Sequence, residues 1–453
     1  MKTGMKSLGL SFLCLLTCSV SSFASDIAFE SEQGLPIVNI NVAIKAGAVT
    51  DPLNKMGLTH FTGEMLLRGT KSKTKEQIDL ALDQMGARLE VEVRSEALII
   101  RGAVLSKELE PFLALVSEVM TQPKFPEVEI RKLKSEVISL IQEELGHDAS
   151  LASRKFNEFL FQDHPYAKPI LGKTNDIKNL TATQIRDHYT RLFQNQELLV
   201  VGTGYASKDR ISAWATDLEH QFSKPGAKSI AAKVPPPKES DHRRLLIVDK
   251  PDRTQTQIYG GQVGVKMTDK SFFPLYLGNY AFGGPSFSAI LMVEVRVKRG
   301  WSYGANSSFR HALQPRSWSF HLFPAEKDTS QALALTFDLI ESLKKTGISD
   351  EKFEFAKQSL INSSGFMFNT PKKRVENKLI ERTLDLPDGF MRSFGDELKK
   401  VSFKDVNGAL NHFLKPNQMA VTVLGTASHL KEGLSKAVGI PLEQVEIIPY
   451  TAE

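Results

Sequence analysis

His60 and Glu64 stand four residues apart in the stretch Gly57-Leu58-Thr59-His60-Phe61-Thr62-Gly63-Glu64-Met65. On a helix that spacing puts an imidazole and a carboxylate on one face. Such a pair can hold a divalent metal, and it can equally make an ordinary hydrogen bond. The chain has ten histidines, and no two of them lie four or five apart, so no second metal motif of this kind is present. The only two cysteines, Cys14 and Cys18, fall in a leader segment, which leaves no thiolate nucleophile, disulfide or Cys-ligated metal for the rest. There is no Gly-x-Ser-x-Gly elbow, and Gly202-Thr203-Gly204 lacks the third glycine of a dinucleotide loop. Gly283-Gly284-Pro285 reads as a turn ahead of a Phe287–Val297 helix.

The elements around the pair are legible. Asp51 to Thr70 reads as a turn, a helix and a Gly stop. Ile37–Ile44 alternates (Val38, Ile40, Val42, Ile44) as a half-buried strand. Arg88–Val93 and Ala97–Val104 read as a hairpin about Arg94-Ser95-Glu96, and Leu198–Val201 as a strand ended by Gly202. Helical spacing follows over Lys107–Met120 and Val128–Leu145. The pattern then repeats. Gln331–Leu343 and Lys352–Ser363 are helical, and an offset of 223 residues sets Phe125 on Ile348, Ile130 on Phe353 and Lys134 on Lys357. Leu245–Val248, Gln257–Gln262, Ser302–Phe309, Ser317–Leu322 and Ala420–Leu424 supply the second set of strands. Strands mixed with long helices, without regular alternation, predict an α+β fold built of two homologous domains.

The 453 residues are too many for one ordinary core and suit two domains of about 200 residues each. Residues 1–24 carry Lys2 and Lys6, the apolar run Leu8–Val20 and Ser22-Phe23-Ala24 before Ser25, which is the pattern of an export signal. The run is too short to span a membrane. Cys18 is also a candidate for lipidation, although Thr17 is a poor neighbour for it. Removing Lys2 and Lys6 takes the formal charge from +5 to +3, which gives no electrostatic case for nucleic acid. With 41% hydrophobic and 24% charged residues, the composition is that of a soluble exported protein, periplasmic or secreted. Pro225 and Pro235-Pro236-Pro237 mark a linker. The expected divisions are a signal at 1–24, a first domain at 25–223, a linker at 224–243 and a second domain at 244–453.

With these residues in place, the chain resembles the pitrilysin/insulinase family of zinc metallopeptidases. Active members carry Gly-x-x-His-Phe-x-Glu-His-Met-x-x-x-Gly-Thr, and Gly57, His60, Phe61, Met65, Gly69 and Thr70 match. Pro123-Lys124-Phe125, His164-Pro165-Tyr166 and Gly172 extend the likeness through the first half. Gln255-Thr256-Gln257-Ile258, Phe282-Gly283-Gly284, Ser288 and Arg296-x-x-x-Gly300-x-x-Tyr303 extend it through the second. The resemblance implies that each domain is a mixed or antiparallel sheet with helices on one face, together forming half of a clam-shell chamber.

The departures from the family pattern decide the functional expectation. The family's general-base Glu falls on Gly63 and its second ligand His on Glu64. A missing base removes about 100-fold or more of rate, and a missing ligand weakens zinc. The distal ligand is expected at Glu143, with Gln142 equally placed, and Glu136 and Glu143 keep the family's Glu-x6-Glu spacing. In two-chain members the zinc-free subunit gives an Arg and a Tyr that hold the substrate and polarise the scissile carbonyl. Arg296 and Tyr303 fall on those positions and are the catalytic and substrate-binding residues that the resemblance implies. The expected protein is a noncatalytic subunit, inactive alone and without a cofactor of its own, paired with a homologous zinc-bearing subunit around an extended peptide. Two alternatives stay open: an autonomous peptidase with ligands His60, Glu64 and Glu143, and a non-enzymatic peptide-binding or scaffold protein.

Overall fold

The structure is a computed structural model that describes residues 26–194, 197–222 and 234–453. The leader with its two cysteines, and the linker as far as residue 233, lie outside the described residues.

The first half runs β1 (Asp26–Ser31), β2 (Ile37–Ile44), α1 (Leu58–Met65), α2 (Lys75–Met85), β3 (Arg88–Val93) and β4 (Leu98–Leu105). Four long or medium helices and one short one follow: α3 (Leu109–Thr121), α4 (Glu127–Gly146), α5 (Asp148–Phe161), α6 (Thr174–Asn179) and α7 (Ala182–Phe193). Then come β5 (Leu199–Gly204) and α8 (Lys208–Phe222). The second half repeats this order with β6 (Arg244–Asp249), β7 (Gln257–Val263), α9 (Phe272–Gly283), β8 (Ser302–Phe309) and β9 (Ser317–Pro324). Its helices are α10 (Thr329–Thr346), α11 (Asp350–Ser364), α12 (Pro371–Thr383), α13 (Phe390–Lys400) and α14 (Phe403–Phe413). It ends with β10 (Ala420–Gly425), α15 (Ala427–Val438) and β11 (Val445–Pro449).

The two sheets have matching strand orders, β1-β5-β2-β4-β3 and β11-β6-β10-β7-β9-β8. Both are mixed: β1 joins β5 in parallel, β6 joins β10 and β11 in parallel, and the remaining pairs are antiparallel. The α+β expectation therefore holds. β1 and β11 were not foreseen, because short half-polar edge segments such as DIAFES and VEIIP carry little periodic signal. β5 also runs on past Gly202 to Gly204, with Gly202 paired to both Phe29 and Ile40.

Each half packs its own helices on one face of its sheet, as expected. The opposite face receives a helix from the other half. Val375 and Leu379 of α12 pack on Ala43, Ile99, Leu199 and Val201 of the first sheet. Reciprocally, Phe156, Phe159 and Leu160 of α5 pack with Leu246, Val248, Ala420 and Leu424 of the second. This explains why β5 and β10 are buried at every residue and do not alternate. Val200 faces the first half's own core while its neighbours Leu199 and Val201 face α12. Ion pairs ring the α12 contact: Glu376 takes Arg94 (2.6 Å) and Arg101 (3.0 Å), Arg374 takes Glu30 (2.9 Å), and Arg382 takes Asp26 (2.7 Å). Partly exposed pairs of this kind contribute only ~0–1 kcal/mol each, so apolar burial binds the halves and the charges set the register.

Candidate functional site

α1 must be fixed before its side chains can do anything. Its N-terminus starts at Gly57 in the left-handed region (φ 86°), with no side-chain cap of its own. Asp51 supplies the cap from a distance, accepting from Gly57 N (2.8 Å), Thr59 N (2.9 Å) and Thr59 Oγ1 (2.5 Å). Because the Thr59 proton goes to Asp51, His188 Nε2 donates to Thr59 Oγ1 (2.8 Å), and Arg191 donates to His188 Nδ1 (3.4 Å). The imidazole is therefore held as one neutral tautomer. Burial raises Asp51 to about 6 and depresses His188 to about 3. Gly57 also needs its missing side chain: a Cβ there would sit 2.5 Å from the Leu171 carbonyl oxygen.

His60 and Glu64 share the half-buried face of α1, as their spacing predicts. Burial lowers His60 to about 4 and raises Glu64 above the usual carboxylate range. Between them, Gly63 is pressed against the β3–β4 hairpin. A Cβ at Gly63 would lie 2.8 Å from Val91 Cγ1 and 3.1 Å from Leu98 Cδ1. So the base position has lost its carboxylate and also the room for one.

The third expected ligand does not arrive. Glu143 is exposed near the end of α4, and Gln142 beside it is exposed too. The α4 carboxylate that influences Glu64 is Glu136. Glu136 is held by Arg68 through both oxygens, with Arg68 Nη1 at 3.2 Å from Oε1 and 3.5 Å from Glu129. Among the described residues no three His, Cys, Asp or Glu side chains converge to hold a metal ion. Glu143 is therefore not brought together with His60 and Glu64 among the described residues. The donor set does not fit zinc: its α4 arm is neutralised by a fixed guanidinium, and Gly63 has no side chain to act as a base.

Arg296 and Tyr303 are brought together. Arg296 sits on a π-helical turn, Met292–Val297, with Lys298 N bonding back to Val293 O at 2.9 Å. The expected Phe287–Val297 helix is thus shorter and wider than an α-helix, a geometry common at functional sites. Tyr303 lies where the β8–β9 register shifts between Ser302 and Ala305, on the outermost strand of the second sheet. The guanidinium carbon is 4.1 Å from the Tyr303 ring centre and 5.1 Å from that of Phe287. Both rings are largely exposed, Tyr303 at 73% and Phe287 at 71%. Glu294, the nearest acid in sequence, is taken by Lys298 and Arg299. Two aromatic faces therefore hold the guanidinium, and its N–H edge makes no hydrogen bond or ion pair among the described residues, so it can fork onto a carbonyl or carboxylate. Sequence reasoning missed Phe287 as the second face; a large aromatic left exposed was the signal.

Two outcomes follow for α1. Gly63→Ala gains up to ~1 kcal/mol of helix propensity but incurs ~1–3 kcal/mol of overpacking, so a net loss of about 1 kcal/mol is expected in chemical denaturation. Val91→Ala in the same chain should relieve that overpacking, and independent, additive effects would contradict the packing. For the buried His188, the folded value of about 3 lies below the ordinary 6.5. Its stabilising share is complete above pH 6.5 and is lost as pH falls towards 3. Asp51, raised from 3.8 to about 6, acts in the opposite sense, losing stability as pH rises through that window. In NMR titration the His188 ring nitrogens should keep their neutral-tautomer shifts from pH 7.5 to 5, apart from a small perturbation near 6 as Asp51 titrates; full protonation of the ring with a midpoint near 6.5 would contradict the Arg191–His188–Thr59–Asp51 chain.

The geometry has counterparts among known proteins. The family model described as Insulinase (Peptidase family M16) matches residues 26–174, and the one described as Peptidase M16 inactive domain matches residues 179–360. A Helicobacter pylori protein named non-peptidase homolog YmxG is 21% identical over 418 residues, covering 92% of this chain and 95% of that one. The solved M16 inactive domain from Pseudomonas fluorescens superposes with a TM-score of 0.81 at 23% identity, over 89% of this chain and 96% of its own. The periplasmic protease PqqL from Escherichia coli aligns with a TM-score of 0.72 at 15% identity, over 90% of this chain but only 49% of PqqL. The two family models cover most of the chain between them, the second beginning within the first half and running into the second, and the chain belongs to peptidase family M16, the insulinase family.

Proposed function

We propose that this chain is the noncatalytic, substrate-holding subunit of an exported two-chain zinc peptidase. Its partner is a homologue that carries an intact His-x-x-Glu-His and the zinc. Arg296 forks onto a carbonyl or carboxylate of the substrate, and the Tyr303 hydroxyl donates to the oxyanion that develops at the scissile carbonyl. The free edge of β8 pairs with the extended backbone of the peptide. The observation that carries this reading is an asymmetry. The metal-site helix is closed at Gly63 by Val91, while Arg296 stands clamped between Phe287 and Tyr303 at an open sheet edge. The half-length match to PqqL supports it as well, since this fold there makes up one half of a longer chain. No helix among the described residues is long and apolar enough to cross a membrane, in keeping with an exported subunit.

Mixing the purified chain with its zinc-bearing homologue tests the reading by peptide hydrolysis. The mixture should exceed the homologue alone. Arg296→Ala and Tyr303→Phe should each lower kcat by about 100-fold or more while the two chains still co-elute. A homologue fully active alone, or an Arg296→Ala variant with unchanged turnover, overturns it. Peptide binding that depends on Arg296 but needs no partner would favour the non-enzymatic binding protein instead.

A further inference from the structure

Between α5 and the tip of the β8–β9 hairpin lies a cavity of about 420 Å³, walled by both halves. Arg154, Lys168, Arg310 and Arg316 line it, and the only carboxylate in its lining is Glu144. Glu144 is already engaged, since Arg154 pairs with it (3.3 Å) and with Glu158 (3.1 Å). Lys168 gives its ammonium to the backbone carbonyls of Val49 (2.9 Å) and Asp51. Arg310 follows the last residue of β8 and is exposed; its backbone N–H bonds to Ser317 O (2.8 Å), and its guanidinium has no hydrogen-bond or ion-pair partner among the described residues.

Arg316 is the more telling group. It lies over the Tyr166 ring at 5.2 Å and donates from Nη1 to Ser95 Oγ at 2.7 Å. Its Nε is buried without any partner. Glu96 is near enough to favour its charge, yet forms no ion pair with it. A buried guanidinium with an orphan N–H, beside a second unpaired guanidinium, is an arrangement that an anion completes. Tyr259, Ile170 and Leu171 add an apolar wall for the body of a ligand.

We propose that this cavity binds a small ligand ending in an oxyanion, a carboxylate or a phosphate, which pairs with Arg310 and Arg316 and ties the two halves together. The site is separate from the Arg296–Tyr303 pair: Arg310 stands seven residues beyond Tyr303, roughly 23 Å along the strand at ~3.3 Å per residue. It does not depend on the subunit reading.

The test is calorimetric titration of the isolated chain with inorganic phosphate and with acetyl-dialanine, the dipeptide carrying either a free or an amidated C-terminus. At least one free-oxyanion probe should bind with a Kd below about 1 mM and raise the thermal midpoint. The amidated dipeptide should not bind. Arg310→Gln, an exposed change, should keep the unliganded thermal midpoint and weaken binding roughly tenfold or more. Tighter binding of phosphate assigns the site to phosphate-bearing ligands, and tighter binding of the dipeptide assigns it to carboxylates; either supports the proposal. No binding by any probe, equal binding of the amide, or an Arg310→Gln variant that binds like the wild type overturns it. No partner subunit is present, so failure here leaves the peptidase reading standing, and the converse also holds.

Discussion

At residue 63 the backbone of α1 approaches Val91 so closely that an added carbon would sit 2.8 Å from its Cγ1. An added carbon there would overpack Val91 and force a shift, so the close seat of the helix on the β3–β4 hairpin favours glycine at this turn. The rest of the site follows from the contact. His60 is pressed into a half-buried setting and kept neutral near pH 7. Glu64 feels the attraction of Arg68 and the like-charge repulsion of Glu136 and Glu90, and burial outweighs Arg68 so that its carboxyl is raised. Arg68, buried to 8% exposure, supplies a fixed positive charge beside the two carboxylates.

The second half leaves Arg296 and Tyr303 at its surface because different constraints act on it. β8 is the outermost strand, so no further strand covers its outer edge among the described residues, although Asn279 donates to the Ser307 carbonyl, and Tyr303 is exposed there. The π-helical turn before it shifts Arg296 onto the Tyr303 and Phe287 rings. The reciprocal exchange of α5 and α12 then holds the two halves in register through Val375, Leu379, Phe156 and Phe159. That exchange also brings the tip of the β8–β9 hairpin against the first half, where Tyr166 Oη accepts from Gln314 N at 2.8 Å.

Much of this was written locally in the chain. The β3–β4 hairpin, β2, and helices α3, α4, α10 and α11 follow from periodicity, and the 223-residue offset exposed the duplication because paired helices keep their apolar faces. The sharing of one face by His60 and Glu64 follows from helix geometry alone. What stayed hidden depends on contacts distant in sequence. An amphipathic α12 announces an apolar face but not that the face will lie on the other half's sheet. The Glu-x6-Glu spacing put both carboxylates on α4 without saying that Arg68 would claim Glu136 and leave Glu143 in solvent. The bond between Thr59 and His188 spans 129 residues and has no local signature. A π-turn and an α-turn share the same apolar residues, so the true shape of Met292–Val297 could not be read from spacing.

The central claim is that this polypeptide cannot by itself activate water for peptide cleavage. The most direct measurement is the rate at which the purified chain, supplied with zinc and kept free of any homologue, hydrolyses an extended peptide. The account predicts a rate indistinguishable from buffer, for the wild type and for His60→Ala alike. Turnover by the wild type that disappears in His60→Ala would contradict it.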